Sequence, residues 1–156
     1  MQERFSEQAR AAMARANLEA GKLDHDYLAP FHLMLGILSG RECVAVSALE
    51  ALDIEAKDAR KQVLNHVHRG IAAGSFDSRG QTNEMKEITN LAVEEARKFE
   101  EHCVGTEHLV LAMSDYETCI PAQVLREMGI SAKTLRAKIV VLLETSVTDS
   151  NSETTV

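Results

Sequence analysis

The side chains with the clearest chemical potential lie near expected helix starts. Glu107 stands between Thr106 and His108. Its carboxylate could bind a ligand, or it could be an exposed acid that stabilises the first turn of a helix by roughly a few tenths of a kcal/mol. Ser6 and Thr82 also precede helical segments, where a side-chain hydroxyl accepts a hydrogen bond from the helix backbone.

Two histidines and two cysteines occupy matching places along the chain. His32 and His108 could be metal ligands or bases, but duplicated histidines more often satisfy a backbone carbonyl, so we predict a structural role. Cys43 and Cys119 each open a predicted helix, and a helix start can lower the pKa of a thiol. We favour the alternative that both are small buried apolar residues.

Signatures of catalysis and of metal binding are missing from the sequence. His66 and His68 are two residues apart, and on a helix such side chains point to different sides. No HExxH, CxxC, GxSxG or GxxxxGK[ST] pattern occurs. We therefore predict no catalytic residue, no metal and no cofactor. One enzymatic alternative stays open, a polar pocket that gathers His102, Cys103 and His108.

The elements that must position these side chains come in two copies. Shifting the sequence by 76 residues matches it to itself without a gap over about fifty residues, which predicts a tandem repeat. The matched pairs include Phe31 with Glu107, His32 with His108, Cys43 with Cys119, Ile54 with Ile130, and Arg60 with Arg136.

Each copy is predicted to fold into four helices. The predicted ranges are 6–21, 30–39, 44–52 and 54–69 in the first copy, and 82–103, a helix from 106, 120–128 and 131–144 in the second. The predicted N-caps are Ser6, Asp53, Thr82 and Thr106. Residues 71–81 are rich in Gly and Ser and predict a linker. We place repeat 1 at 4–70, repeat 2 at 82–144, one domain over 1–144, and a disordered polar tail at 145–156.

Composition restricts the class of protein. Of 156 residues, 45% are hydrophobic and only 4% aromatic, so the core must consist of aliphatic residues, Met and Ala, as in a small helical bundle. A net charge of −7 argues against nucleic-acid binding. Three cysteines without paired spacing, no signal segment and no long apolar run predict a cytoplasmic protein, expected to be a monomer.

Several segments resemble the Clp amino-terminal repeat domain. Residues 105–111, GTEHLVL, resemble the family signature GTEHLLLGL. Residues 4–9, RFSEQA, resemble its opening RFTERA, and both 49–54 and 125–130 resemble its VLEKLGI segment. The resemblance covers roughly residues 4–144. It implies an all-α fold of two tandem, pseudo-symmetric four-helix repeats.

The family resemblance also implies a function. In that family the domain lies in front of AAA+ unfoldases such as ClpC, ClpA and ClpB and binds adaptors and substrates. We therefore expect a non-enzymatic protein-binding domain of the Clp unfoldase and protease system. It would be either a free-standing protein or the front of a longer one, and the polar tail favours the first.

A phosphoarginine receptor is the alternative function, implied by resemblance to the ClpC branch. There the Glu of each TEH motif meets the guanidinium, and a Thr near the start of each first helix helps to hold the phosphate. By position, Glu107 and Thr82 would act in the second copy. The first copy keeps Ser6 but has Phe31 in place of the acid. Phe31 could be an exposed partner anchor, or it could pack into a neighbouring loop. The predicted ligand or partner residues are Ser6, Phe31, Thr82, Thr106 and Glu107.

Overall fold

The fold is all-α, as predicted. The structure is a computed structural model that describes residues 5–40, 43–67 and 80–154, with side chains up to residue 144. These ranges contain eight α-helices and no strand. The helices are α1 Glu7–Lys22, α2 Pro30–Leu38, α3 Val44–Ala51, α4 Ala56–Val67, α5 Asn83–Lys98, α6 Thr106–Asp115, α7 Ile120–Glu127 and α8 Ala132–Thr154.

Three of the predicted helix starts are confirmed. The Ser6 hydroxyl accepts a hydrogen bond of 3.1 Å from the Ala9 backbone N–H. Thr82 does the same for Met85, also at 3.1 Å. Both are N-caps that satisfy a donor which the first helical turn leaves unpaired. Pro30 is the first residue of α2, where its missing N–H costs nothing.

Two predicted caps are wrong. Asp53 has a φ of 64° and ends α3 rather than starting α4, because the Ile54 N–H turns back to the Leu49 carbonyl. Thr106 is the first residue of α6, and Gly105 is the residue at the cap position. Asp and Thr are favoured at several places around helix ends, so their presence alone does not fix which one they occupy.

Two predicted helix ends are also wrong. α5 stops at Lys98 instead of Cys103, because Glu100 adopts a φ of 57° and closes the helix. α8 continues to Thr154, beyond the predicted end near Glu144, since no Gly or Pro interrupts it. Of the predicted linker 71–81, residues 71–79 lie outside the described residues. The limits of the domain and of its repeats stay predictions.

The two repeats share one core. Within the repeats α1 packs on α2 and α5 on α6, while between them α3 packs on α6 and α8, and α7 packs on α2 and α4. The largest completely buried side chains are Leu, Ile and Met, which agrees with the low aromatic content. Neither repeat therefore encloses its own apolar surface alone.

Two short backbone contacts cross between the repeats, and we call them the crossed joints. Phe5 pairs with Val104, and Leu28 pairs with Gln81, both in parallel orientation. The Ser6 N–H donates to the Val104 carbonyl at 2.9 Å, and the Thr82 N–H donates to the Leu28 carbonyl at 3.0 Å. Each joint brings the start of one repeat's first helix beside the start of the other repeat's second helix.

Candidate functional site

The first crossed joint carries what we call the Glu107 site, formed by Ser6, Gly105, Thr106 and Glu107. The Ser6 backbone is joined to Val104, the residue before Gly105. The Thr106 hydroxyl accepts a 3.4 Å hydrogen bond from the Ala45 N–H at the start of α3. Three helix starts, those of α1, α3 and α6, therefore meet here.

The Glu107 carboxylate folds back over Gly105. A Cβ atom at position 105 would lie 2.6 Å from Glu107 Oε2, so any larger residue would displace the carboxylate. The Glu107 side chain is only 12% exposed, and the alternative of an exposed surface acid is therefore wrong. A glycine at this helix start is required so that the acid can take its buried position.

Burial raises the pKa of Glu107, its own backbone N–H opposes that shift, and the nearby Glu101 adds to it. His108 Nδ1 lies 3.7 Å from Glu107 Oε1, but that nitrogen accepts a hydrogen bond from Gly105 and the ring is neutral at pH 7. Among the described residues no Lys or Arg forms an ion pair with Glu107. The buried Glu107 carboxylate therefore has no basic ion-pair partner within the described part of the chain.

The second crossed joint carries a small cavity, which we call the Phe31 pocket. Its volume is about 100 Å³. Its walls come from both repeats and include Tyr27, Phe31, Thr82, Glu84, Ile120 and Gln123. The starts of α2, α5 and α7 meet around it, which is the repeat-equivalent of the arrangement at the Glu107 site.

The structure places Thr82 beside Phe31 and not beside Glu107. The resemblance to the ClpC branch had assigned Thr82 and Glu107 to the same phosphoarginine site. That pairing is wrong. The reason is the crossed joint between Leu28 and Gln81, which carries the start of α5 to the first repeat. Ser6, the N-cap of α1, lies at the Glu107 site in the place that the resemblance had given to Thr82.

Phe31 is buried, with 6% of its surface exposed. Its ring meets Tyr27 and His25 edge-on, with ring centres 6.4 Å and 5.8 Å apart. The prediction of an exposed anchor is wrong, and the alternative of packing into a neighbouring loop is confirmed. The aromatic ring now forms a wall of the pocket where the second repeat has a carboxylate.

His32 and His108 have the predicted structural role, with a different backbone partner. Nδ1 of His32 accepts from the Ala29 N–H at 2.9 Å, and Nδ1 of His108 accepts from the Gly105 N–H at 2.8 Å. Both therefore bind an N–H group and not a carbonyl. Burial lowers the pKa of each ring to about 4. A neutral ring that accepts at Nδ1 carries its proton on Nε2, which His32 donates to His25.

The cysteines do not form a reactive centre. Cys43 and Cys119 are 5% and 2% exposed, which confirms that both are small buried residues. Burial raises the pKa of the Cys119 thiol to about 11, so it stays protonated. Cys103 is exposed whereas His108 is completely buried, so the pocket that would have joined them is not formed.

No metal site is found in the part of the chain that the structure describes. His66 Nε2 lies 2.9 Å from Glu127 Oε2, a contact between the repeats, and His68 is outside the described residues. None of the described helices has the length and apolarity needed to cross a membrane.

Glu84, which lines the Phe31 pocket, was not among the residues predicted from the sequence. Its place in the first turn after the Thr82 cap was a usable signal.

The family model of the Clp repeat (R) N-terminal domain matches residues 4–118 and 81–156. Two curated relatives are similar over most of the chain. "Negative regulator of genetic competence ClpC/MecB" of Bacillus subtilis is 31% identical over 96% of the chain. "ATP-dependent Clp protease ATP-binding subunit ClpA homolog" of Cyanidium caldarium is 35% identical over 94% of it.

The chain spans less than a fifth of the length of these relatives, 18% of the first and 17% of the second. Among solved structures, the N-terminal domain of the chaperone ClpD from Arabidopsis thaliana superposes with a TM-score of 0.68 at 22% identity. That match covers 91% of this chain and 96% of the other. At this identity the match supports the fold alone.

Proposed function

The chain belongs to the Clp repeat (R) N-terminal domain family, and we propose that it is a non-enzymatic protein-binding domain of a Clp unfoldase and protease system. It recognises adaptors or substrates, and it works in the cytoplasm as a monomer. Relatives named as a Clp protease ATP-binding subunit and as a regulator of competence support this assignment. Binding then belongs to this domain, and ATP hydrolysis to other parts of the longer relatives.

One observation carries the proposal: the repeats meet at two crossed joints, and the second joint carries a cavity whose walls come from both repeats. The neighbouring histidines and thiols that could do chemistry are buried, and they hold the backbone or fill the core. Such a surface provides apolar walls and one or two charged groups, and these are the features that recognition of a protein segment requires.

The test is affinity capture from native cytosol on the immobilised chain, followed by mass spectrometry. We expect a Clp ATPase, an adaptor or a chaperone substrate to be enriched, and excess free chain to compete with its capture. Enrichment of none of these three classes would contradict the proposal.

A second candidate is a phosphoarginine receptor at the Glu107 site. The observation that favours it is a buried carboxylate without a basic partner among the described residues. Glu107 would bind the guanidinium, and Ser6 with the start of α1 would face the phosphate. This assignment uses Ser6 in place of Thr82.

Titration calorimetry with free phosphoarginine tests this candidate. We expect binding by the parent chain, loss of binding in Glu107→Gln, and little change in Glu101→Gln, which removes an exposed acid nearby. Arginine and phosphoserine serve as ligand controls. A parent chain that releases no heat with phosphoarginine would eliminate the candidate.

A further inference from the structure

The Phe31 pocket combines aromatic walls with one carboxylate. Tyr27 and Phe31 line one side, Pro30 and Ile120 extend the apolar surface, and Glu84 contributes the acid. The described residues that line it include no Lys or Arg. A carboxylate attracts a cation through its charge, and the attraction is stronger where the surroundings are apolar.

The Glu84 carboxylate lies in an environment that disfavours its negative charge. Burial raises the pKa of its carboxyl, and the neighbouring Glu87 raises it further. In the described ranges no Lys or Arg forms an ion pair with Glu84. A positively charged group beside Glu84 would offset the cost of its burial and its repulsion from Glu87.

The size of the cavity restricts what can enter. Its volume is about 100 Å³, and an apolar protein cavity of about 150 Å³ holds benzene. The pocket therefore accommodates one side-chain head group and not a helix or a nucleotide. The apolar surface of Pro30 and Ile120 suits the methylene stem that both basic side chains possess.

We propose that the Phe31 pocket binds an unphosphorylated arginine or lysine side chain of a partner protein. The stem lies along the apolar wall, and the cation lies beside the Glu84 carboxylate. This inference rests on the protein-binding function proposed above and specifies what one site recognises. We expect a phosphorylated side chain to bind more weakly, because its negative charge would face the carboxylate of Glu84.

The two crossed joints take their acid from different helices. At the Glu107 site the acid comes from α6, and at the Phe31 pocket the corresponding position holds an aromatic ring. The acid of the Phe31 pocket comes instead from the first turn of α5, two residues after Thr82. The two sites would thus bind different modifications of the same basic side chains.

The test is a residue-resolved NMR titration of the full chain. The probes are acetylated, amidated pentapeptides Gly-Gly-X-Gly-Gly in which X is arginine, lysine or norleucine, together with free phosphoarginine. We expect the arginine and lysine peptides to shift the amide signals of Phe31, Glu84 and Ile120 with a Kd of about 1 mM, and the norleucine peptide to bind at least about tenfold more weakly.

A matched pair of variants isolates the charge. Glu84→Gln and Glu94→Gln each remove one acid from α5, but Glu94 is exposed and lies outside the pocket. We expect about a tenfold loss of affinity in Glu84→Gln and less than about a twofold change in Glu94→Gln. Circular dichroism confirms that both variants fold.

Three outcomes would overturn the inference: equal binding of the norleucine peptide, unchanged affinity in Glu84→Gln, or no saturable shift up to roughly ten times the expected Kd. Repeating the cytosol capture with Glu84→Gln separates the two proposals. Partners captured equally by parent and variant would leave the protein-binding function standing and remove the pocket. Peptide binding without any captured partner would support the pocket and contradict the protein-binding function.

Discussion

Arg136 donates two hydrogen bonds to the carboxylate of Glu95, each 2.7 Å long. The equivalent contact in the first repeat joins Arg60 to Glu19 at 2.8 Å. Both acids are almost completely buried. In each repeat the contact ties the first helix to the fourth, so the 76-residue spacing seen in the sequence preserves a charged clamp as well as apolar positions.

Replacing Arg136 by Met should lower the free energy of unfolding by about 2 kcal/mol, because the buried Glu95 carboxylate loses a bidentate charged partner. The remaining cation near it, Lys98, is 66% exposed and 3.6 Å away. Urea denaturation at neutral pH measures the change. The control is Arg97→Met, whose partner Glu94 is exposed, and there we expect less than about 0.5 kcal/mol. Equal losses in the two variants would contradict the clamp.

Stability should fall as the pH drops below about 6.5. The folded pKa of His32 and His108 is lowered to about 4, so only the unfolded chain takes up protons on these rings in between. We expect a loss of about 2 kcal/mol per histidine between pH 6.5 and 5. Glu19 and Glu95 also have lowered pKa values, but their contribution is lost only below the unfolded value of 4.5.

The variant His108→Gln tests that assignment. Glutamine at the third helical position can still accept the Gly105 N–H but does not titrate, as in a capping box. Urea denaturation at several pH values should show about half of the parent's pH dependence. A variant with the full pH dependence would mean that other groups are responsible.

Gly36→Ala should destabilise the fold by roughly 1–3 kcal/mol. An added Cβ would press on the Ala12 carbonyl and lie 2.8 Å from the Ala16 nitrogen, where α1 and α2 pack most closely. Gly21→Ala is the matched control, since nothing lies within 4 Å of its added Cβ. That control should be neutral or stabilising by up to about 1 kcal/mol. Thermal unfolding of the two variants measures the difference.

Glu107→Gln should raise stability by roughly 0.5–2 kcal/mol, because it removes a buried charge without a basic partner among the described residues. The sign follows from the pKa of Glu107, which burial raises. Its ionised form weakens the fold at neutral pH, and the weakening disappears as the pH falls through the folded pKa. The gain should therefore shrink in acid. Denaturant melts of Glu107→Gln, with the exposed Glu101→Gln as control, would contradict this if both variants matched the parent.

Much of the fold could be predicted from local patterns. The hydroxyls of Ser6 and Thr82 and the ring of Pro30 act within one helical turn, so their sequence context was sufficient. Asp53 was misassigned because its backbone has a positive φ, and no neighbouring residue signals that conformation. Local signals locate helices well and their end geometry less well.

The composition of the two sites could not be predicted. Pairing Thr82 with Glu107 assumed that each repeat builds its own site. The contacts of Leu28 with Gln81, and of Phe5 with Val104, join residues more than fifty positions apart. Which of two equivalent copies a segment contacts depends on long-range packing, and equal sequence similarity cannot distinguish them.

The crossed joints have a consequence for how a duplicated protein can change. A substitution at position 84 in the first turn of α5 would change the wall of the cavity beside Phe31, although the two positions belong to different copies. The two copies therefore cannot diverge independently, because each copy supplies residues to the site of the other. Natural variation at positions 31 and 84 should be correlated in descendants of the duplication, as should variation at positions 107 and 6.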